Sequence, residues 1–127
     1  MSASVPTRGI LVPDASVDEI AAVFYSFRGS VDNVVSLTHG KVVVESGMFG
    51  AQRLRDFQMD IVSSELELLN RVVDIVVDLD PDIIVGWEVQ AASWGYLNSR
   101  GRQYGLFVYS LYHSLIPTIY ASRLRYR

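Results

Sequence analysis

In the stretch "DPDIIVGWEVQAASWGYL" (residues 80–97), Glu88, Gln90 and Ser93 offer a carboxylate, an amide and a hydroxyl within six positions. Oxygens of this kind are the hard donors that divalent cations take. A pair of such cations can activate a water and stabilise the leaving oxygen of a phosphodiester. The stretch raises the question of whether it is the wall of a metal-dependent nuclease site or a wall whose chemistry has been removed. Just before it, Asp78, Asp80 and Asp82 occupy every second position, as acidic residues do in calcium loops. Such a loop also needs glycine at its sixth place and glutamate at its twelfth. Counted from Asp78, those places hold Ile83 and Val89, and Pro81 interrupts the run. The triplet is expected to be a solvated helix end and strand entry.

Other constellations are weaker. His39 and His113 lie far apart; His39, beside Gly40, reads as a turn residue, and His113 sits among tyrosines and leucine. Neither "GxSxG" nor "GxxxxGK" occurs, so nucleophile-elbow and phosphate-loop chemistry have no signature here. Arg53 with Arg55, and Arg100 with Arg102, form two small basic pairs. With a net charge of −3 they are expected to be surface arginines rather than a phosphate track. Trp87, Trp94 and Tyr96 could stack on bases, but Trp94 and Leu97, three apart, suit one packed helical face better. Cysteine is absent, which excludes disulfides and thiolate metal sites. The first dozen residues lack a signal-peptide pattern. Residues 105–122 carry no formal charge, yet they are short for a span and contain His113 and Pro117. No membrane association is expected.

The 127 residues, half of them apolar and a fifth charged, suit one globular domain or part of a larger one. "DEIAAVFYSF" (18–27) predicts a first strand, and 28–30 a turn. "NVVSL" and "KVVVES" predict two more strands, with Thr38-His39-Gly40 as a tight turn between them. In "DFQMDIV", Phe57, Met59 and Ile61 alternate with polar residues, as in a half-buried strand. "SELELLNRVVDIVVDLD" places Leu66, Leu69, Val73 and Val76 on one helical face. Leu68, Val72 and Val77 widen that face. Ser64 three residues before Glu67 marks the helix start, and Asp80-Pro81 marks its end. "DIIVGW" predicts a strand buried on both faces, and residues 90–100 a second helix. The expected core is Val23, Phe24, Val43, Phe57, Leu66, Leu69, Val73, Val76, Ile83, Ile84, Val85, Trp94 and Leu97. Strands followed by helix, strand and helix give an α/β class.

The run "SELELLNRVVDIVVDLDPDIIVGWEVQ" resembles the exonuclease domain of B-family DNA polymerases. "TRGILVPD", "DEIAAVFYSF" and above all "GWEVQ" followed by "SWGYL" are similar to the zeta branch of that family. The resemblance covers residues 7–102; residues 103–127 read as a divergent tail. It implies a partial ribonuclease-H-like fold, a mixed sheet with flanking helices. It also implies a parent that is a nuclear, DNA-directed translesion polymerase using magnesium, bound to DNA and to other polymerase subunits. Residues 1–127 would then be a fragment, starting just after the strand that carries the family's first motif.

Active exonucleases of the family carry Gly-Tyr-Asn, three residues, Phe and a metal-binding Asp. Laid on this chain, Gly86 matches, Trp87 replaces Tyr, Glu88 replaces Asn, Ala92 replaces Phe and Ser93 replaces the Asp. The other two motifs, Asp-x-Glu and Tyr-x-x-x-Asp, do not occur in the sequence. The resemblance therefore implies a degenerate cleft at Gly86, Trp87, Glu88, Gln90 and Ser93, with no catalytic residue and no metal ligand. Two alternatives stay open: an active 3′–5′ proofreading domain of another branch, and a non-enzymatic interaction module.

Overall fold

A computed structural model describes residues 1–7, 10–31, 34–45, 58–86 and 93–106. They form strands β1 (Ser2–Ser4), β2 (Ala22–Val31), β3 (Val34–Val44) and β4 (Gln58–Val62), then helices α1 (Glu65–Leu79) and α2 (Trp94–Gln103). The strands make one sheet in the order β1-β2-β3-β4. The β1–β2 and β2–β3 pairs are antiparallel and β3–β4 is parallel, so the sheet is mixed. This is the α/β architecture with flanking helices that the sequence predicts.

The β2–β3 ribbon is longer and simpler than expected. Arg28, Gly29 and Ser30 pair with Leu37, Ser36 and Val35, so the anticipated turn at 28–30 is continuous strand. Thr38, His39 and Gly40 likewise pair with Phe27, Ser26 and Tyr25 inside β3. The anticipated tight turn there does not exist, and His39 is an exposed strand residue. Gly40 serves a different purpose. A Cβ at this position would lie 2.3 Å from Cζ of the Tyr25 ring, so the glycine makes room for an aromatic ring across the ladder. At the other end β2 begins only at Ala22. Before it, Asp14 accepts the Ser16 amide at 2.8 Å and Asp18 accepts the Asp14 amide at 3.0 Å, which closes a turn instead.

Helix α1 starts and stops where its sequence says it should. Ser64 is the N-cap and its hydroxyl accepts the Glu67 amide at 3.3 Å. The Glu67 carboxylate reaches one residue further back than in a capping box and accepts from the Ser63 amide and hydroxyl. Asp80 ends the helix with φ 39° and ψ 58°, and its amide donates to the Val76 carbonyl. A left-handed residue there stops the helix, and Pro81 cannot continue it.

The buried face is turned relative to expectation. Leu68, Leu69, Val72 and Ile75 pack with Val23, Val42, Val44 and Val62 of the sheet, with Tyr96 and Leu97 of α2 completing the core, and Val76 is buried on the same helix. Leu66 is 39% exposed and Val77 62% exposed, so neither belongs to it. Val73 is only half-buried. The same face choice decides β4. Val62 is buried under α1 and Asp60 bonds to Arg71 on that helix, so Ile61 points the other way and is exposed. Phe24 follows Val23 on β2 and therefore also points away from the helix. Ile20, absent from the expected core, is buried within it. Phe57 lies outside the described residues.

The segment 82–86 is the largest departure. It adopts no strand, and Ile83 and Val85 are largely exposed, with Ile84 half-buried. A hydrogen bond from the Met1 ammonium to the Val85 carbonyl, 3.1 Å, sets it beside β1 without a regular ladder. An apolar run becomes a buried strand only where a neighbour satisfies its backbone on each side.

Candidate functional site

The expected cleft lies where the segment 82–86 meets the start of α2. Ser93 is the residue preceding that helix, with φ −134° and ψ −118°, and its side chain does not cap the helix. It is fully buried. Its hydroxyl donates a long hydrogen bond, 3.4 Å, to the Met1 carbonyl. Gly86 packs directly against it. A Cβ on Gly86 would stand 2.1 Å from Ser93 Oγ, 3.1 Å from Ser93 Cβ and 3.0 Å from Trp94 Cδ1. Two of the five cleft residues named from the sequence are thus in contact. Trp87, Glu88 and Gln90 lie outside the described residues.

An open trough of about 1180 Å³ adjoins this contact. Phe24 and Phe27 of β2, Leu79 at the end of α1, Val85 and Trp94 give it an apolar lining, and Arg28, Asp80 and Asp82 line it as well. Trp94 packs on the core, but its indole N–H is buried without a hydrogen-bond partner among the described residues. Asp80 is committed to the helix end. Among the described residues no group of three or more Asp, Glu, His or Cys stands together as a cation site. Arg53, Arg55 and His113 are outside the described residues. No helix among those described is long and apolar enough to cross a membrane.

The polar hub of the molecule lies elsewhere and escaped the sequence reading. Arg100, expected on the surface, is buried against Glu65, which is itself buried at the first turn of α1. Arg100 Nε donates to Glu65 Oε1 at 2.8 Å and Nη2 donates to Oε2, a bidentate pair. Glu65 also accepts the Ile20 amide at 2.8 Å and the Tyr104 hydroxyl at 2.8 Å. The remaining Arg100 nitrogen reaches the Ala15 carbonyl at 3.1 Å and Gln103 at 3.2 Å. The Tyr96 hydroxyl donates to the Asp18 carbonyl at 2.8 Å. Together these bonds fasten the loop before β2 to both helices. Glu65 and Arg100 are 35 positions apart, and neither sits in a motif that signals the other.

Burial raises the Glu65 carboxyl, but the Arg100 hydrogen bonds, the Ile20 amide and the Tyr104 hydroxyl outweigh it, and the net position is below the ordinary carboxylate value. Burial pushes the Tyr96 phenol up to about 12, with the Asp18 charge adding to it. The sign of the Glu65 effect is set by linkage. A carboxyl depressed in the folded state stabilises it fully above the ordinary carboxyl range. That stability is lost as pH falls through the folded value. Urea unfolding from pH 7 to pH 3 is therefore expected to show stability dropping below the ordinary range, with part of that acid limb missing in Glu65→Gln. An unchanged limb would contradict the assignment.

Comparison with known proteins decides the family. The family model described as the exonuclease domain of DNA polymerase family B matches residues 7–118. The chain belongs to the exonuclease-domain family of B-family DNA polymerases. The DNA polymerase zeta catalytic subunit of Schizosaccharomyces pombe is 35% identical over 97 residues, covering 74% of this chain and 7% of that protein. That of Drosophila melanogaster is 32% identical over 108 residues, covering 77% and 5%. That of Homo sapiens is 28% identical over 116 residues, covering 74% and 4%. The chain thus spans between 4% and 7% of the length of these relatives. The sequence boundary drawn at residue 102 falls one residue before the end of α2, and the family match continues beyond it.

The B family suggests divalent metal use in the parent polymerase. At the described positions the wall does not fit such an ion. Ser93 is neutral, buried and directed at a carbonyl oxygen. Gly86 offers no side chain. The short strand β1 at the sheet edge carries serine and alanine and no carboxylate. Divalent cations require several hard, preferably anionic, oxygens.

Proposed function

We propose that this chain is the exonuclease-like lobe of a zeta-type translesion polymerase, and that it supports the polymerase body and its DNA without cutting DNA. The whole protein would be a nuclear, DNA-directed DNA polymerase working with further subunits. Magnesium would serve that polymerase's nucleotide-adding site, outside residues 1–127. One observation carries the non-hydrolytic reading: Ser93, which replaces the family's metal-binding aspartate, is a fully buried hydroxyl packed on Gly86. A neutral hydroxyl supplies neither the charge nor the lone-pair geometry of a carboxylate.

The test is nucleotide release from a labelled single-stranded 3′ end by the 127-residue chain, in magnesium or manganese. The expected result is no release above the protein-free rate. Metal-dependent release that disappears in Glu88→Ala would overturn the proposal.

A further inference from the structure

We infer that the wall is closed by shape as well as by charge, so that returning an aspartate to position 93 does not create a cation site. This rests on the non-hydrolytic reading above and extends it to the cause. An aspartate carries its oxygens one bond further from Cβ than a serine does. Ser93 has no exposed surface to extend into. On one side its Oγ packs on the Gly86 backbone, so close that a Cβ added to Gly86 would stand 2.1 Å from it. Towards Met1 the hydroxyl acts as a donor to a carbonyl at 3.4 Å. A carboxylate has no proton to donate there and would set acceptor against acceptor. A bridging cation would need further oxygens. Among the described residues, the adjoining Trp94 brings an indole N–H instead, and Gly86 brings no side chain. A carboxylate set against that carbonyl in a site with no exposed surface destabilises the fold.

The experiment compares the full chain with Ser93→Asp and Ser93→Ala, reading Mn²⁺ binding by electron paramagnetic resonance and unfolding by thermal melt. Ser93→Asp is expected to bind no Mn²⁺ beyond wild type and to melt at least ~5 °C lower, with Ser93→Ala shifted less. Either saturable extra Mn²⁺ or a wild-type melting temperature in Ser93→Asp overturns the inference. If Ser93→Asp does not fold, a cycle decides. Gly86→Ala should lower the melting temperature more in wild type than in a Ser93→Gly background, and an equal loss in both shows that the contact does not close the wall. Nuclease activity in the unmodified chain would sink the proposed function instead. An inactive unmodified chain with a Mn²⁺-binding Ser93→Asp variant would sink this inference alone.

Discussion

Arg100→Met is expected to destabilise the chain by about 3–5 kcal/mol, the range for removing one member of a buried ion pair. The substitution keeps much of the side-chain length and removes the fork that holds Glu65. The carboxylate is then left in a buried site with the Ile20 amide and Tyr104 hydroxyl as its remaining donors. The Ala15 carbonyl also loses the Arg100 guanidinium, keeping Gln103 at 2.6 Å. Glu65→Gln should cost less, because an amide still accepts from Ile20, although it presents an NH₂ toward the guanidinium. Combining Arg100→Met with Glu65→Leu should cost clearly less than the sum of the two single changes, since neither charge is then stranded. Urea midpoints of the four proteins measure this. A loss below about 1 kcal/mol for Arg100→Met, the level of an exposed pair, would show that the hub is not buried in solution.

The second large effect separates the two faces of α1. Leu68→Ala removes a side chain with no exposed surface at the centre of the core and should cost about 2–5 kcal/mol. Leu66→Ala, two residues earlier and 39% exposed, should cost under about 1 kcal/mol. Equal losses, measured by urea unfolding, would mean that the helix packs through the face anticipated from the sequence.

That contrast shows why helix limits were legible and helix orientation was not. Ser64, Glu67 and Pro81 act through their immediate neighbours, so the sequence alone places both ends of α1. Leucines and valines surround much of its circumference, and only the sheet decides which of them are covered. The strand alternation in β4 fails for the same reason: Ile61 and Val62 are both apolar, and α1 selects Val62. Gly40 misled in another way. Glycine next to a histidine suggests a turn, but here it accommodates the Tyr25 ring, a partner fifteen positions earlier. At the wall, the resemblance named Gly86 and Ser93 as members of one cleft but said nothing of the contact between them. The degree of closure was not legible, because it depends on a contact distance. The Glu65–Arg100 hub left no local trace.

The β2–β3 ribbon has a consequence for how the chain acquires its structure. Val31 pairs with Val34, so this ribbon can zip from a tip whose ends are adjacent in sequence, an event of microseconds. β3 and β4 run parallel, and the chain must cross over between Val44 and Gln58 before a single rung forms. Loop closure delays such rungs. Pulse-labelled amides of Ala22–Val31 should accordingly gain protection before those of Gln58–Val62. Simultaneous protection would mean that assembly is governed by the helices rather than by the ribbon.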